Sequence, residues 1–343
     1  MPHDASRASA GLREHHVEAR DGTRLYVRTY TPEEPKGAPI VFVDGLGCEG
    51  YAWTYLIDYF RKERPLVYWQ YRGHGRSEVP ADLSTLTVDT MVDDLERVIE
   101  ETRTERPVLC GHSMGVQVAL ESYRRLRAGL SGLVLVCGGY ERPVDTFHAA
   151  PLSSAAPTVV NRVMRRVFPY LSGAFIHFPE HAMRVWRRVI PTRLSYELAV
   201  RVEVNGRRID RRDFWPYFQH LGEMDMRVFA LLARALAEHS AGDLLADVSL
   251  PTLIIGGGRD TFTPVWLSEE MWRRIPESEY LFIPDGTHAT PIEHPQLIGL
   301  RLEKFLRERV DVQPVASTEP STAATSVTSS APRRRRSTGA KSA

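Results

Sequence analysis

Apolar and polar positions along this chain fall into two alternating rhythms. Short unbroken apolar runs recur in "PIVFVDG", "PLVYWQYRG", "PVLCG", "LSGLVLVCGG", "PTLIIGGGRD" and "SEYLFIPDGTH". Apolar runs of this length, bounded by Gly and Pro, predict strands buried on both faces. Between them, "YAWTYLIDYFRKE", "TVDTMVDDLERVIEETR", "VQVALESYRRLR", "VWLSEEMWRRIP" and a last segment from about Pro295 to Val310 repeat apolar residues at helical spacing. Ahead of the first strand, "HHVEARDGTRLYVRTY" is half-alternating around Asp21-Gly22, the signature of a hairpin. Strands alternating with helices on this period predict an α/β fold: a mostly parallel sheet flanked by helices.

The rhythm breaks across residues 141–243. There aromatic and arginine-rich helical segments are punctuated by Pro157, Pro169, Pro179, Pro191 and Pro216, with no clear strand. The expected organisation is therefore a core in two parts, residues 1–140 (opening with a flexible leader, residues 1–15) and residues 244–310, around an all-helical insertion at 141–243. From residue 311 the chain turns to Ser, Thr, Ala and Pro and ends in "APRRRRSTGAKSA", a composition that predicts a disordered basic tail at 311–343.

Composition narrows the setting. The 343 residues carry a formal net charge of +1, which nominates no nucleic acid or other polyanion as partner. Cys48, Cys110 and Cys137 are too few and too irregularly spaced for a disulfide framework. With no apolar core in the opening segment and no run long enough to span a bilayer, these features predict a cytoplasmic protein.

The chemistry begins at Gly111-His112-Ser113-Met114-Gly115, a G-x-S-x-G spelling between a strand and a helix. That context matches a nucleophile elbow, where a strained serine projects from a turn whose glycines let neighbouring backbone crowd in. A serine hydroxyl needs a base, and the base an orienting acid. Asp260 follows the strand of "PTLIIGGGRD" and His288 follows the next one, so both lie at the carboxyl edge of a parallel sheet. His294 is the substitute base, and Asp285 or Glu141 the substitute acid. His112 is expected to pack or line the site. His15-His16 lacks further ligands for a metal.

In combination and order, "GHSMG", "YRGHGRS", "GGGRDTFTP" and "DGTHATPIEHP" resemble the α/β-hydrolase fold family of cap-bearing serine hydrolases, esterase- or lipase-like, over roughly residues 17–310. The resemblance implies an α/β-hydrolase fold with an inserted helical cap. It also implies that Ser113 is the nucleophile, His288 the general acid/base and Asp260 its orienting acid, acting on a carboxylic ester, with no cofactor and no metal. Carbon–carbon bond hydrolases, thioesterases, acyltransferases, polyester depolymerases and cofactor-free haloperoxidases of the fold share that triad. A non-catalytic small-molecule-binding member is the alternative from another class.

Gly45-Leu46-Gly47-Cys48-Glu49-Gly50 spells a dinucleotide-binding turn. The next strand, however, ends near Gln70, where a ribose-binding carboxylate would be needed. The resemblance gives the loop a different role, in which the Leu46 N–H, together with that of Met114, forms an oxyanion hole. The family usually has His-Gly where this chain has Asp44-Gly45, so Asp44 is expected to turn away from the hole and accept backbone N–H bonds in its own loop. The Cys48 thiol, with no base beside it, is not expected to serve as a second nucleophile.

Between Asn161 and His220 stand twelve arginines, no lysines and five acidic residues. The bland expectation is a solvated helix face. The sharper one is a lid that receives a lipid-like ester and touches an anionic membrane surface, to which the tail arginines Arg333 to Arg336 could add.

Overall fold

The computed structural model describes residues 11–147, 159–202 and 204–312. The strands are β1 (Leu12–Glu18), β2 (Arg24–Tyr30), β3 (Ile40–Val43), β4 (Leu66–Trp69), β5 (Val108–His112), β6 (Gly132–Val136), β7 (Thr252–Gly257) and β8 (Ser278–Ile283). They form one sheet in the order β1-β2-β4-β3-β5-β6-β7-β8. β1, β2 and β4 pair antiparallel, and from β4 onward every pairing is parallel.

The central strands are buried throughout, as unbroken apolar runs require. Alternate side chains of β3 divide between two cores. Val41 and Val43 join Met91, Leu95, Val116 and Leu120 on one face; Ile40 and Phe42 join Trp53, Leu56, Ile298 and Leu302 on the other. The helices covering these faces are α1 (Thr54–Phe60), α2 (Val88–Glu101) and α3 (Met114–Leu126), joined by two helices from the second half of the core. Thr87 caps α2, its side chain accepting from the Thr90 amide.

The expected boundaries change. β1 starts at Leu12, so residues 12–15 belong to the sheet rather than to a flexible leader; their backbone pairs with β2 from Leu12↔Tyr30 to His15↔Val27, although most of these side chains are exposed. Sequence periodicity reports burial, and an edge strand can be held by its ladder alone. Of the expected tail, Asp311 still belongs to the folded part, pairing with Arg64 and accepting from the Ala38 amide, and residues 313–343 lie outside the described residues.

Between β6 and β7 the described residues form helices: α4 (Pro143–Thr146), α5 (Val159–His177), α6 (Pro179–Val189), α7 (Arg193–Val202), α8 (Arg211–Glu223) and α9 (Met226–Glu238). Pro179 opens α6 and Pro191 follows its end, but Pro169 and Pro216 stand inside α5 and α8 rather than interrupting them. An interior proline costs roughly 3 kcal/mol. In α8 that cost is opposed by burial of Phe214 and Phe218, which pack with Tyr196 and Tyr217 in an aromatic cluster. Pro157 lies outside the described residues. The second half of the core adds α10 (Trp266–Arg274), α11 (Thr290–Glu293) and α12 (Pro295–Phe305), the last continued by a wider turn, Leu306–Val310.

Candidate active site

Ser113 sits between β5 and α3 at φ 56°, ψ −119°, a left-handed conformation that costs a non-glycine residue energy. Backbone crowding holds it there. A Cβ on Gly115 would lie 2.1 Å from the Val43 carbonyl oxygen, and one on Gly111 would lie 2.4 Å from that of Gly115. Only glycine permits a turn this tight.

His288, in the loop after β8, brings Nε2 to 2.9 Å from Ser113 Oγ. Its Nδ1 faces Asp260, 3.0 Å from Oδ2 and 3.2 Å from Oδ1. Nδ1 thus carries the proton, leaving Nε2 as an acceptor for the serine hydroxyl. Asp260 follows β7 and its side chain is buried. The amides of Phe262 and Thr263 donate to its Oδ1 and the Thr263 hydroxyl to its Oδ2, which orients the carboxylate toward the imidazole. The three residues singled out from sequence therefore meet in one line. The substitutes do not: His294 and Asp285 pair with each other at 3.4 Å, and Glu141 accepts from Ser240.

The loop that carries His288 is fastened from several sides. His112, fully buried, places Nε2 2.9 Å from the His288 carbonyl oxygen. Burial pushes its pKa down to about 3, so it packs beneath the site as a neutral donor. The buried carboxylate of Glu293 accepts from the Thr287 amide and hydroxyl and from the Asn205 amide of the insertion.

The glycine loop after β3 comes within reach of Ser113: a Cβ on Gly45 would be 3.1 Å from Ser113 Cβ. Leu46 and Met114 both line the cavity at Ser113. Met114 opens α3, where the first N–H groups have no partner within the helix. In the loop, the Gly47 amide donates to His74 Nε2 (3.0 Å) and the Cys48 amide to the Gly45 carbonyl (3.2 Å), and neither bond uses the Leu46 amide.

His74, which holds this loop through the Gly47 amide, is a residue that sequence reasoning missed, although it lies within "YRGHGRS". Its loop is anchored by the buried Arg72, whose guanidinium donates twice to the buried Asp94 (2.7 and 2.6 Å) and once to the more exposed Asp21 (2.8 Å). The insertion packs on the glycine loop as well. His220 of α8 pairs with Glu49 at 3.2 Å, and a Cβ on Gly47 would lie 2.8 Å from Leu221.

The Asp44 side chain is buried and does not line the cavity at Ser113. The Tyr68 hydroxyl of β4 donates to its Oδ2 at 3.2 Å. Desolvation raises its pKa to about 7, moderated by the nearby Gly50 and Gly45 amides, Tyr68 and the Trp53 indole. None of these neighbours closes to a well-formed bond on Oδ1. Asp44 thus stays out of that cavity; its well-formed bond comes from a neighbouring strand, and the amides of its own loop act on it only by lowering its pKa. Burial, reinforced by the charge of Asp44, keeps Cys48 a thiol and not a nucleophilic thiolate.

Above Ser113 lies a cavity of about 360 Å3 whose walls are mostly aromatic and aliphatic, including Tyr51, Phe214, Tyr217, Phe229 and Phe262. Among the described residues, no group of three or more His, Cys, Asp or Glu side chains is placed to hold a metal ion. No described helix is long and apolar enough to cross a membrane.

Residues 40–298 match the sequence profile of the alpha/beta hydrolase family. The chain belongs to that family. Among its relatives, the 3-oxoadipate enol-lactonase 1 of Acinetobacter baylyi is 23% identical over 288 residues, covering 82% of this chain and 92% of the relative. Among solved structures, the enol-lactonase from Burkholderia xenovorans LB400 superposes with a TM-score of 0.68 at 17% identity, covering 86% of this chain and all (100%) of that one. An esterase from Exiguobacterium antarcticum gives 0.65 at 18% identity, with 86% and 100% coverage. These likenesses agree with the eight-stranded sheet and its flanking helices in this alpha/beta hydrolase.

Proposed function

We propose that this family member is a serine hydrolase that cleaves carboxylic esters through an acyl-enzyme. The observation that carries the reading is the continuous hydrogen-bonded line from Ser113 Oγ through the His288 imidazole to Asp260, at the floor of an apolar cavity.

In this reading Ser113 Oγ attacks the ester carbonyl while His288 Nε2 takes its proton. The C=O π-pair moves onto oxygen, and the Leu46 and Met114 N–H groups stabilise that oxyanion. Collapse of the tetrahedral intermediate expels the alkoxide, which takes the proton from Nε2 and leaves as alcohol. Water, deprotonated by the same nitrogen, then attacks the acyl-enzyme; the acid departs and Ser113 recovers its proton. Asp260 holds the tautomer and balances the imidazolium. Proximity and the preorganised donors supply most of such an acceleration.

A non-catalytic role would have gained support from a carboxylate aimed into the hole, and Asp44 lies against Tyr68 instead. The names of the enol-lactonase relatives favour small esters and lactones as substrates. The experiment is hydrolysis of p-nitrophenyl esters from acetate to palmitate by wild type and Ser113→Ala. Turnover by wild type alone supports the reading, and the preferred acyl length sizes the cavity. Equal rates for both proteins, or none with either, would sink it.

A further inference from the structure

Three successive helices of the insertion present apolar side chains to solvent at four-residue spacing: Val159, Val163, Val167 and Leu171 on α5, Val185 and Val189 on α6, Leu194 and Leu198 on α7. Tyr170 is 81% exposed, Leu194 80% and Phe178 67%. Of the twenty exposed large hydrophobic side chains described, ten fall between Val159 and Leu198. An amphipathic helix normally turns such a stripe inward, and a surface helix that turns it outward marks a contact site.

The same helices are strongly basic. Residues 159–202 hold eight arginines, no lysine and two acidic residues, a surplus of six positive charges in a chain whose total is +1. Arg165 pairs with Asp145 at 3.3 Å and Arg193 with Glu197 at 3.9 Å. Among the described residues no ion pair engages Arg184, Arg187 or Arg188, which are interleaved with Val185 and Val189 on α6.

We propose that the exposed face of α5, α6 and α7 docks on an anionic phospholipid bilayer, with its apolar stripes at the boundary between headgroups and acyl chains and its arginines on the lipid phosphates. Both halves of the surface find their complement there, since an anionic bilayer offers negative charge above an apolar layer. Guanidinium groups suit phosphate oxygens by geometry as well as charge. A second copy of this chain is the competing occupant, but a two-fold dimer through this face would set one arginine surplus against the other. α7 connects the face to the cavity: Ala199 lines the space above Ser113 while its neighbour Leu198 is exposed. Docking would therefore hold the cavity close to esters dissolved in the bilayer, a consequence that rests on the hydrolase reading, whereas the docking does not.

The test uses the full chain with Ser113→Ala, so that no lipid is cleaved, and with Arg333 to Arg336 replaced by serine, so that the tail does not bind. Sedimentation with vesicles of phosphatidylcholine, with and without phosphatidylglycerol, reads the partition. Binding is expected to be roughly tenfold or more stronger on the anionic vesicles and to weaken with salt. It should fall about as far in Arg184→Gln/Arg187→Gln/Arg188→Gln and in Tyr170→Ser/Phe178→Ser/Leu194→Ser. Thermal melting of both variants, matched to the parent, secures their fold. No partition onto anionic vesicles overturns the proposal. So does partition that both variants retain, and so does self-association in ultracentrifugation that the variants abolish without any vesicle binding. Because the binding is read in Ser113→Ala protein, its failure is separate from a failure of ester hydrolysis.

Discussion

The Gly47 amide donates to His74 Nε2 at 3.0 Å, joining the glycine loop that carries Leu46 to the Arg72-anchored loop after β4. His74 Nδ1 lies 3.2 Å from the Arg72 carbonyl oxygen, so the ring proton is on Nδ1 and the Nε2 lone pair is free to accept. Burial pushes the His74 pKa down to about 3, which preserves that lone pair across the working range of the protein.

His74 should therefore affect the rate by positioning the Leu46 amide, without touching substrate. His74→Asn keeps a donor near Nδ1 and loses the acceptor, and kcat is expected to fall ~10- to 100-fold with KM little changed, less than the loss of an oxyanion donor itself. His74→Gln reaches further with its own carbonyl and should recover most of the rate. Identical kcat in the two variants, or a change in Tm alone, would assign His74 a merely structural part.

Asp260 fixes the His288 tautomer through Nδ1. Asp260→Asn keeps the shape but offers an amide that can present N–H to the ring, favouring the wrong tautomer. Steady-state kinetics should show kcat reduced ~10³- to 10⁴-fold with the fold retained. A loss of less than tenfold would mean that another group orients His288.

Asp44 should make stability depend on pH in the opposite sense to most carboxylates. Its pKa rises from 3.8 unfolded to about 7 folded, so between those values the native state binds the proton more tightly. Its contribution to stability is present in full below about pH 4, declines as pH rises toward 7 and levels off above it. Urea unfolding of wild type and Asp44→Asn across this interval checks the sign. The variant's midpoint should gain on that of wild type as pH rises, and a constant difference would contradict the buried proton.

Glycines at the elbow should be far less replaceable than one in the hairpin. A Cβ at Gly115 would meet the Val43 and Asp44 carbonyl oxygens at 2.1 and 2.7 Å, atoms that cannot yield without moving β3. Gly22, unlike Gly115, has positive φ, +85°, but nothing stands within 4 Å of its Cβ position. Gly22→Ala is expected to cost about 1 to 2 kcal/mol from backbone strain alone. Gly115→Ala carries no such strain but should lose ~3 kcal/mol or more from overpacking against backbone, or fail to fold. Chemical denaturation of the pair measures the difference.

The sequence by itself determined the elements and the line of Ser113, His288 and Asp260. Strands buried on both faces must be apolar runs, so β3 to β7 stand out as such, and a sharp strand-to-helix turn must use small residues, so Gly111, Ser113 and Gly115 announce it. Asp260 and His288 were legible for the same reason, because each directly follows a strand whose end lies at the site. Tertiary structure alone decided the rest. Pro169 and Pro216 ride inside helices because packing, the aromatic cluster around Phe214 in particular, can outweigh a local penalty. β1 extends to Leu12 because its backbone pairs with β2, although most of its side chains face water. His74 supports the glycine loop across 27 positions of chain, and Asp44 finds Tyr68 across 24. Local propensity records what a residue does to its own backbone; contacts between distant segments exist only once the sheet has brought their ends together.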